Sequence, residues 1–219
     1  MESVFLVLLF IIIGLASSSP AYYRNVTLDL KAAESTHGLV INSKIFGNES
    51  AIQLRDSLVN NTNNIFNLSL VNCVFQQKSL SIIFNSLNET GIKSLTLDGN
   101  MIIDQPLKVI ATGLAKSHLE QLFIKNALLG DSAWPYIMKA IIRMKSLVSI
   151  RLWDVSMEED QFLELVQYAC VSNSAALRSL DLRKNFLSDE LKDQLDTMVN
   201  QCNEKRMREN STVIITIIK

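Results

Sequence analysis

Ile92-Lys93-Ser94-Leu95-Thr96-Leu97-Asp98-Gly99-Asn100-Met101-Ile102 places aliphatic residues at its first, fourth, sixth and eleventh positions and an asparagine at its ninth. The same spacing recurs as Leu177-x-x-Leu180-x-Leu182-x-x-Asn185-x-Leu187. It recurs again as Ile65-x-x-Leu68-x-Leu70-x-x-Cys73-x-Phe75, with cysteine in the asparagine slot. Two looser copies run Leu119-x-x-Leu122-x-Ile124-x-x-Ala127-x-Leu129 and Leu147-x-x-Ile150-x-Leu152-x-x-Val155-x-Met157. Successive copies begin 27, 27, 28 and 30 residues apart. In-phase self-similarity at such a period is the mark of a stacked-repeat architecture.

A helical pattern follows each of the last three copies. Trp134, Ile137, Met138 and Ile141 form one apolar stripe; Phe162, Val166, Ala169 and Cys170 form another; Leu191, Leu195, Val199 and Cys202 form a third. Spacings of three and four put such residues on one helix face. Asp131-Ser132, Glu158-Glu159-Asp160 and Ser188-Asp189-Glu190 supply oxygens suited to helix starts. Gly38–Asn42, then Ile45, Phe46, Ile52, Leu54 and Leu58, read as a degraded earlier copy. The unit is a short strand, a turn, and a helix returning antiparallel. Neither element buries its apolar side alone, so units must stack, strands forming a parallel sheet and helices covering its outer side.

The pattern LxxLxLxx[N/C]xL with a period near 28 and a following helix resembles the ribonuclease-inhibitor class of leucine-rich repeats. That class includes the repeat regions of NOD-like receptors and the Ran GTPase-activating protein. The likeness runs from about Gly38 to Cys202. It implies an α/β leucine-rich-repeat solenoid, a horseshoe with a parallel inner sheet and outer helices. It also implies a surface that binds rather than catalyses. Ala127 and Val155 depart from the Asn or Cys slot, so those two turns must be held another way.

Composition agrees with a single repeat domain. The 219 residues are 48% hydrophobic and carry 21 basic against 22 acidic side chains, a formal charge of -1. That balance disfavours nucleic acid as the main ligand. Val4 to Ala16 is a thirteen-residue apolar run ending at Ser17-Ser18-Ser19-Pro20, too short to span a bilayer. Residues 1–18 read as a cleaved secretory signal, giving a protein of the secretory lumen or outside the cell. Glu2 before the run and Arg24 beyond it carry the alternative, an uncleaved membrane anchor through residues 4–16. Residues 19–37 are expected to be an N-terminal cap, with Val26–Leu30 as its strand. Residues 38–219 form the repeat domain, closed by a cap strand Val213–Ile218. Six sequons, at Asn25, Asn48, Asn60, Asn67, Asn88 and Asn210, are the expected glycosylation sites. Asn67, one residue before Leu68, is expected to project from the inner sheet and to cover its N-terminal half with a glycan. Cys73, Cys170 and Cys202, odd in number and widely spaced, read as core thiols.

No catalytic or metal-binding motif is recognisable, and His37 and His118 read as loop residues. The expectation is a non-enzyme with no cofactor, no metal, no small-molecule substrate and no nucleic-acid partner. Its ligand is expected to be a protein. Residues between the buried leucines point away from the core. One row holds Ser69, Thr96, Phe123, Arg151 and Asp181; the next holds Val71, Asp98, Lys125, Trp153 and Arg183. Phe123, Lys125, Arg151, Trp153, Asp181 and Arg183 are therefore the candidate partner-binding residues, being rich in aromatic and Arg side chains. A second reading of the same rows is internal stacking of Phe123 and Trp153 on Arg151 and Arg183. A different function class, a structural or scaffold subunit docked through its terminal strands or apolar N-terminus, is the alternative.

Overall fold

The computed structural model describes residues 37–60, 64–100, 105–127, 133–171, 177–208 and 216–218. The expected signal at 1–18, the cap strand Val26–Leu30, the slots Ile102 and Leu129, the Asp131-Ser132 helix start and the sequons Asn25 and Asn210 lie outside them.

The chain is a mixed α/β protein built on a parallel sheet. Its strands are β1 (Gly38–Asn42), β3 (Asn67–Val71), β5 (Ser94–Asp98), β6 (Gln121–Ala127), β7 (Ser149–Val155), β8 (Ser179–Asp181) and β9 (Thr216–Ile218). They pair in chain order, each with its predecessor and all in parallel. A two-stranded parallel ladder joins β2 (Ile45–Phe46) to β4 (Val74–Phe75). Between sheet strands run α1 (Asn48–Asn60), α2 (Gln77–Asn85), α3 (Gln105–Lys116), α4 (Trp134–Arg143), α5 (Glu159–Val171) and α6 (Asp189–Arg208).

The leucine spacing sets the register. Leu39, Leu68, Leu95, Leu122, Ile150 and Leu180 are successive partners across the sheet, each at most 5% exposed. Ile41 heads a second buried column, which continues through Leu70, Leu97, Ile124 and Leu152. Alternation along a strand puts both columns on one face, where they join the helical stripes in a single core. The stripes of α4 and α6 are buried as the sequence implies. Two details differ. In α1 the buried residue is Ala51 and Ile52 is exposed, because Ala51, Leu54 and Leu58 share the inward face at spacings of three and four. In α5 Cys170 is only half-buried, and Leu165 is fully buried beside Val166.

In each unit from β1 to β8, the residue just before the slot takes the left-handed region. Ser43, Asn72, Gly99, Asn126, Asp154 and Lys184 occupy the same place in successive units, with φ between 50° and 64°. Asn, Asp and Gly tolerate that conformation best, which explains their recurrence just before the slot. The slot residue then reaches back one unit. Asn100 Nδ2 donates to the Leu70 carbonyl (2.8 Å), Asn185 Nδ2 to that of Leu152 (2.7 Å), and Cys73 Sγ to that of Ile41 (3.5 Å). The Val155 turn, which has no Asn of its own, is held by the next unit, since its N–H donates to Asn185 Oδ1 at 3.0 Å. At Ala127 the neighbouring Asn126 serves, donating Nδ2 to Asp98 Oδ1 at 2.6 Å. Ser188 caps α6 by accepting the Leu191 N–H, and at α5 the cap comes from Gln161, whose Oε1 accepts the Glu158 N–H. Among the described residues no helix is long and apolar enough to cross a membrane.

Candidate functional site

The sheet face opposite the helices carries the two expected rows. Ser69, Thr96, Phe123, Arg151 and Asp181 are direct partners across five strands, and Val71, Asp98, Lys125 and Trp153 are partners across four. Arg183 lies just beyond β8, at the end of the second row. The N-terminal half is small or neutral apart from Asp98, and Val40 on its first strand is 60% exposed.

In the C-terminal half, four cationic side chains converge on two aromatic rings. Phe123 and Trp153 meet edge to face with centroids 4.8 Å apart. Arg151 lies 5.8 Å and Lys125 5.6 Å from the Phe123 centroid. Arg183 lies 4.9 Å and Lys184 5.0 Å from that of Trp153. The four cations sit against the negative faces of the rings, so neither aromatic is fully exposed; both are half-buried. The expected stacking on Arg151 and Arg183 is present. It coexists with a surface of charged groups around an apolar centre.

Asp181 corrects the sequence reading. Alternation places it on the open face, yet it is only 3% exposed. The Arg183 guanidinium folds over it, Nε donating to Oδ1 (3.0 Å) and a terminal nitrogen to Oδ2 (2.8 Å). Asp181 thus holds the Arg183 guanidinium in place and presents little surface of its own. Burial raises its carboxyl pKa. The Arg183 guanidinium, the nearby Trp153 indole and the Arg183 backbone N–H outweigh that effect and hold it below the ordinary aspartate range. Trp153 Nε1–H is near enough to favour the charged carboxylate. It is buried without the alignment of a hydrogen bond to any described residue. By contrast, the Trp134 indole donates to Glu164 Oε2 at 2.7 Å.

Asn126 and Lys184 were missed in the sequence, and Asp98 stood in the second row but outside the candidate set. Asp98, 9% exposed, accepts from Lys125 Nζ at 2.6 Å and so anchors one of the cations. Asn126 holds the other oxygen of Asp98. Lys184 falls on the buried side by strict alternation, but its φ of 64° turns it back over Trp153. A second basic surface lies on the helices, where a groove of about 380 Å³ runs between α3 and α4. It is lined by Lys108, Lys116, Lys139 and Arg143 beside Tyr136, and i,i+4 spacing of Lys139 and Arg143 was its signal.

The sequon asparagines that are described are all exposed: Asn48 at the start of α1, Asn60 at its end, Asn67 at the start of β3 and Asn88 in a short turn at Leu87–Glu89. Asn67 shares its side of β3 with Ser69, as period-two alternation requires. His37 holds a turn, its Nδ1 lying 3.1 Å from the Asn64 carbonyl oxygen, and His118 is exposed in a loop. No cluster of three or more His, Cys, Asp or Glu fit to hold a metal occurs among the described residues. No protein-family model and no curated protein sequence matches the chain.

Proposed function

We propose that the chain is a leucine-rich-repeat solenoid of the ribonuclease-inhibitor-like class and that it binds a protein through the open face of its sheet. In-order parallel strands, one helix per unit, a left-handed exit residue in each unit and slot side chains reaching back one unit all support the repeat reading. The observation that carries the binding reading is the Phe123–Trp153 pair with four cations packed on it. Aromatic and Arg side chains that are already ordered lose little freedom when a partner covers them, which is the character of a binding hot spot. Phe123, Lys125, Arg151, Trp153, Arg183 and Lys184 are the contact residues of this reading, with Asp181 and Asp98 behind them.

The charge of this patch specifies the partner further. Asp98 and Asp181 engage Lys125 and Arg183, whereas Arg151 and Lys184 have no carboxylate partner among the described residues. Uncompensated cations beside an apolar centre suit a partner that brings carboxylates and an aliphatic or aromatic side chain together. The rest of the reading is a secreted, glycosylated, non-catalytic protein whose residues 1–18 are removed, and mass spectrometry of the mature N-terminus tests that part.

A scaffold role docked through a sheet edge is the second reading. It rests on β9, which has β8 as its single sheet neighbour among the described residues, since an open edge can accept a further strand. Capture of the co-purifying partner distinguishes the two. Loss of capture with Trp153→Ala and retention after deletion of residues 213–219 support the open face. The reverse pattern supports the edge.

A further inference from the structure

Two of the three cysteines face one another across the interface between α5 and α6. Cys170 Sγ lies 4.0 Å from the Met198 carbonyl oxygen, one helical turn before Cys202. Arg206, one turn after Cys202, donates a guanidinium N–H to the Ala169 carbonyl at 2.7 Å. Ala169 and Cys170 thus meet residues one turn to either side of Cys202, and Cys202 lies between those two contacts. Packed helices have axes about 8–10 Å apart, and each Cα stands about 2.3 Å from its own axis. Directly opposed Cα atoms are therefore roughly 3.5–5.5 Å apart, and slightly offset ones a little more. A disulfide takes about 4.4–6.8 Å.

We propose that Cys170 and Cys202 are a dithiol that closes to a disulfide and staples α5 to α6. Both thiols are free in the present structure. Cys202 is 7% exposed while Cys170 is half-buried, so Cys170 is the sulfur an oxidant reaches and Cys202 the one that resolves. The oxidant is a small-molecule disulfide. The Cys170 thiolate attacks one of its sulfurs, breaking that S–S bond and releasing one thiolate. Deprotonated Cys202 then attacks Cys170 Sγ, forming the protein S–S bond and releasing the second. Two protein thiols are oxidised, one external disulfide is reduced, and the two protons pass to the released thiolates. Burial, and then contact with the Cys202 thiol, push the Cys170 thiol up to about 12. Because only the thiolate reacts, closure accelerates as pH rises. Cys73 is an internal control. It is buried and donates its S–H to the Ile41 and Val71 carbonyls.

The reaction is followed on the full chain, reduced and then held in a mixture of reduced and oxidised glutathione at mildly alkaline pH. Alkylation before and after unfolding, digestion and mass spectrometry give the pairing. The expected product is an intramolecular link between the peptides carrying Cys170 and Cys202, two hydrogens lighter than the reduced pair, with Cys73 alkylated only after unfolding. A bridge enclosing about thirty residues restricts the unfolded chain, so the oxidised protein should melt higher than the reduced one by about 5 °C or more. Cys170→Ser, and Cys202→Ala as a variant that keeps the buried site apolar, should each abolish the link and the melting shift. Glutathione left as a mixed disulfide on Cys170 with Cys202 still alkylatable, or a link that forms only after unfolding, overturns the proposal. So does a linked protein that melts no higher than the reduced one.

Discussion

Asn100 Oδ1 accepts the backbone N–H of Cys73 at 2.8 Å, across 27 residues of chain, while its Nδ2 donates to Leu70. One buried side chain, 5% exposed, thus satisfies two main-chain groups of the preceding turn. Replacing it by alanine strands both of them away from water. Asn100→Ala should lower unfolding free energy by about 2–4 kcal/mol, measured by denaturant titration. A loss below about 1 kcal/mol would mean that water reaches the turn and that the contact is incidental.

The exit residues give a prediction of opposite sign. Lys184 holds φ of 64°, a conformation that costs a side chain with a Cβ about 1–2 kcal/mol and that asparagine tolerates better. Lys184→Asn should therefore raise thermal stability, by about 0.5–1 kcal/mol, while weakening partner binding through loss of its contact with Trp153. Gly113→Ala is the counterpart in α3. An added Cβ would press on the Phe84 carbonyl of α2, and a rigid backbone cannot yield there, so a loss of about 1–3 kcal/mol is expected.

Much of this was legible in the chain because two periods carry different information. The 27- to 30-residue repeat determines which leucines pair across strands, and period-two alternation separates Leu68 and Leu70 from Ser69 and Val71. What alternation does not encode is where a strand stops. β8 ends at Asp181, so Lys184 escapes the pattern and returns to the open face. Nor does alternation say what covers a residue. Asp181 points outward and is still buried, because Arg183 bends back two residues onto it. The facing of Cys170 and Cys202 depends on the rotation of two helices about their axes, which a stripe of apolar residues sets only to within a face.

Asp181 also gives the site a pH signature. Its folded-state pKa lies below the ordinary aspartate value of 3.8. Its contribution to stability is therefore present above that ordinary value and is lost as pH falls through the folded-state value. Asp181→Asn should be less stable than the parent near neutral pH, and the gap should narrow as pH drops below about 4. Thermal melts of both proteins across that range provide the check. A gap that stays constant would show that the Asp181 charge contributes nothing through Arg183.

The most direct test of the proposed binding face is a titration of a co-purified partner against three proteins: the parent, Trp153→Ala and Asn67→Gln. Trp153 is the ring that Phe123, Arg183 and Lys184 all contact, whereas Asn67 stands on the N-terminal half of the same face, away from the aromatic pair. Trp153→Ala should weaken binding by at least about 2 kcal/mol, roughly 30-fold in Kd, and Asn67→Gln should leave Kd within about two-fold. Weakening by Asn67→Gln together with unchanged affinity for Trp153→Ala would contradict the account and move the contact surface to the other end of the sheet.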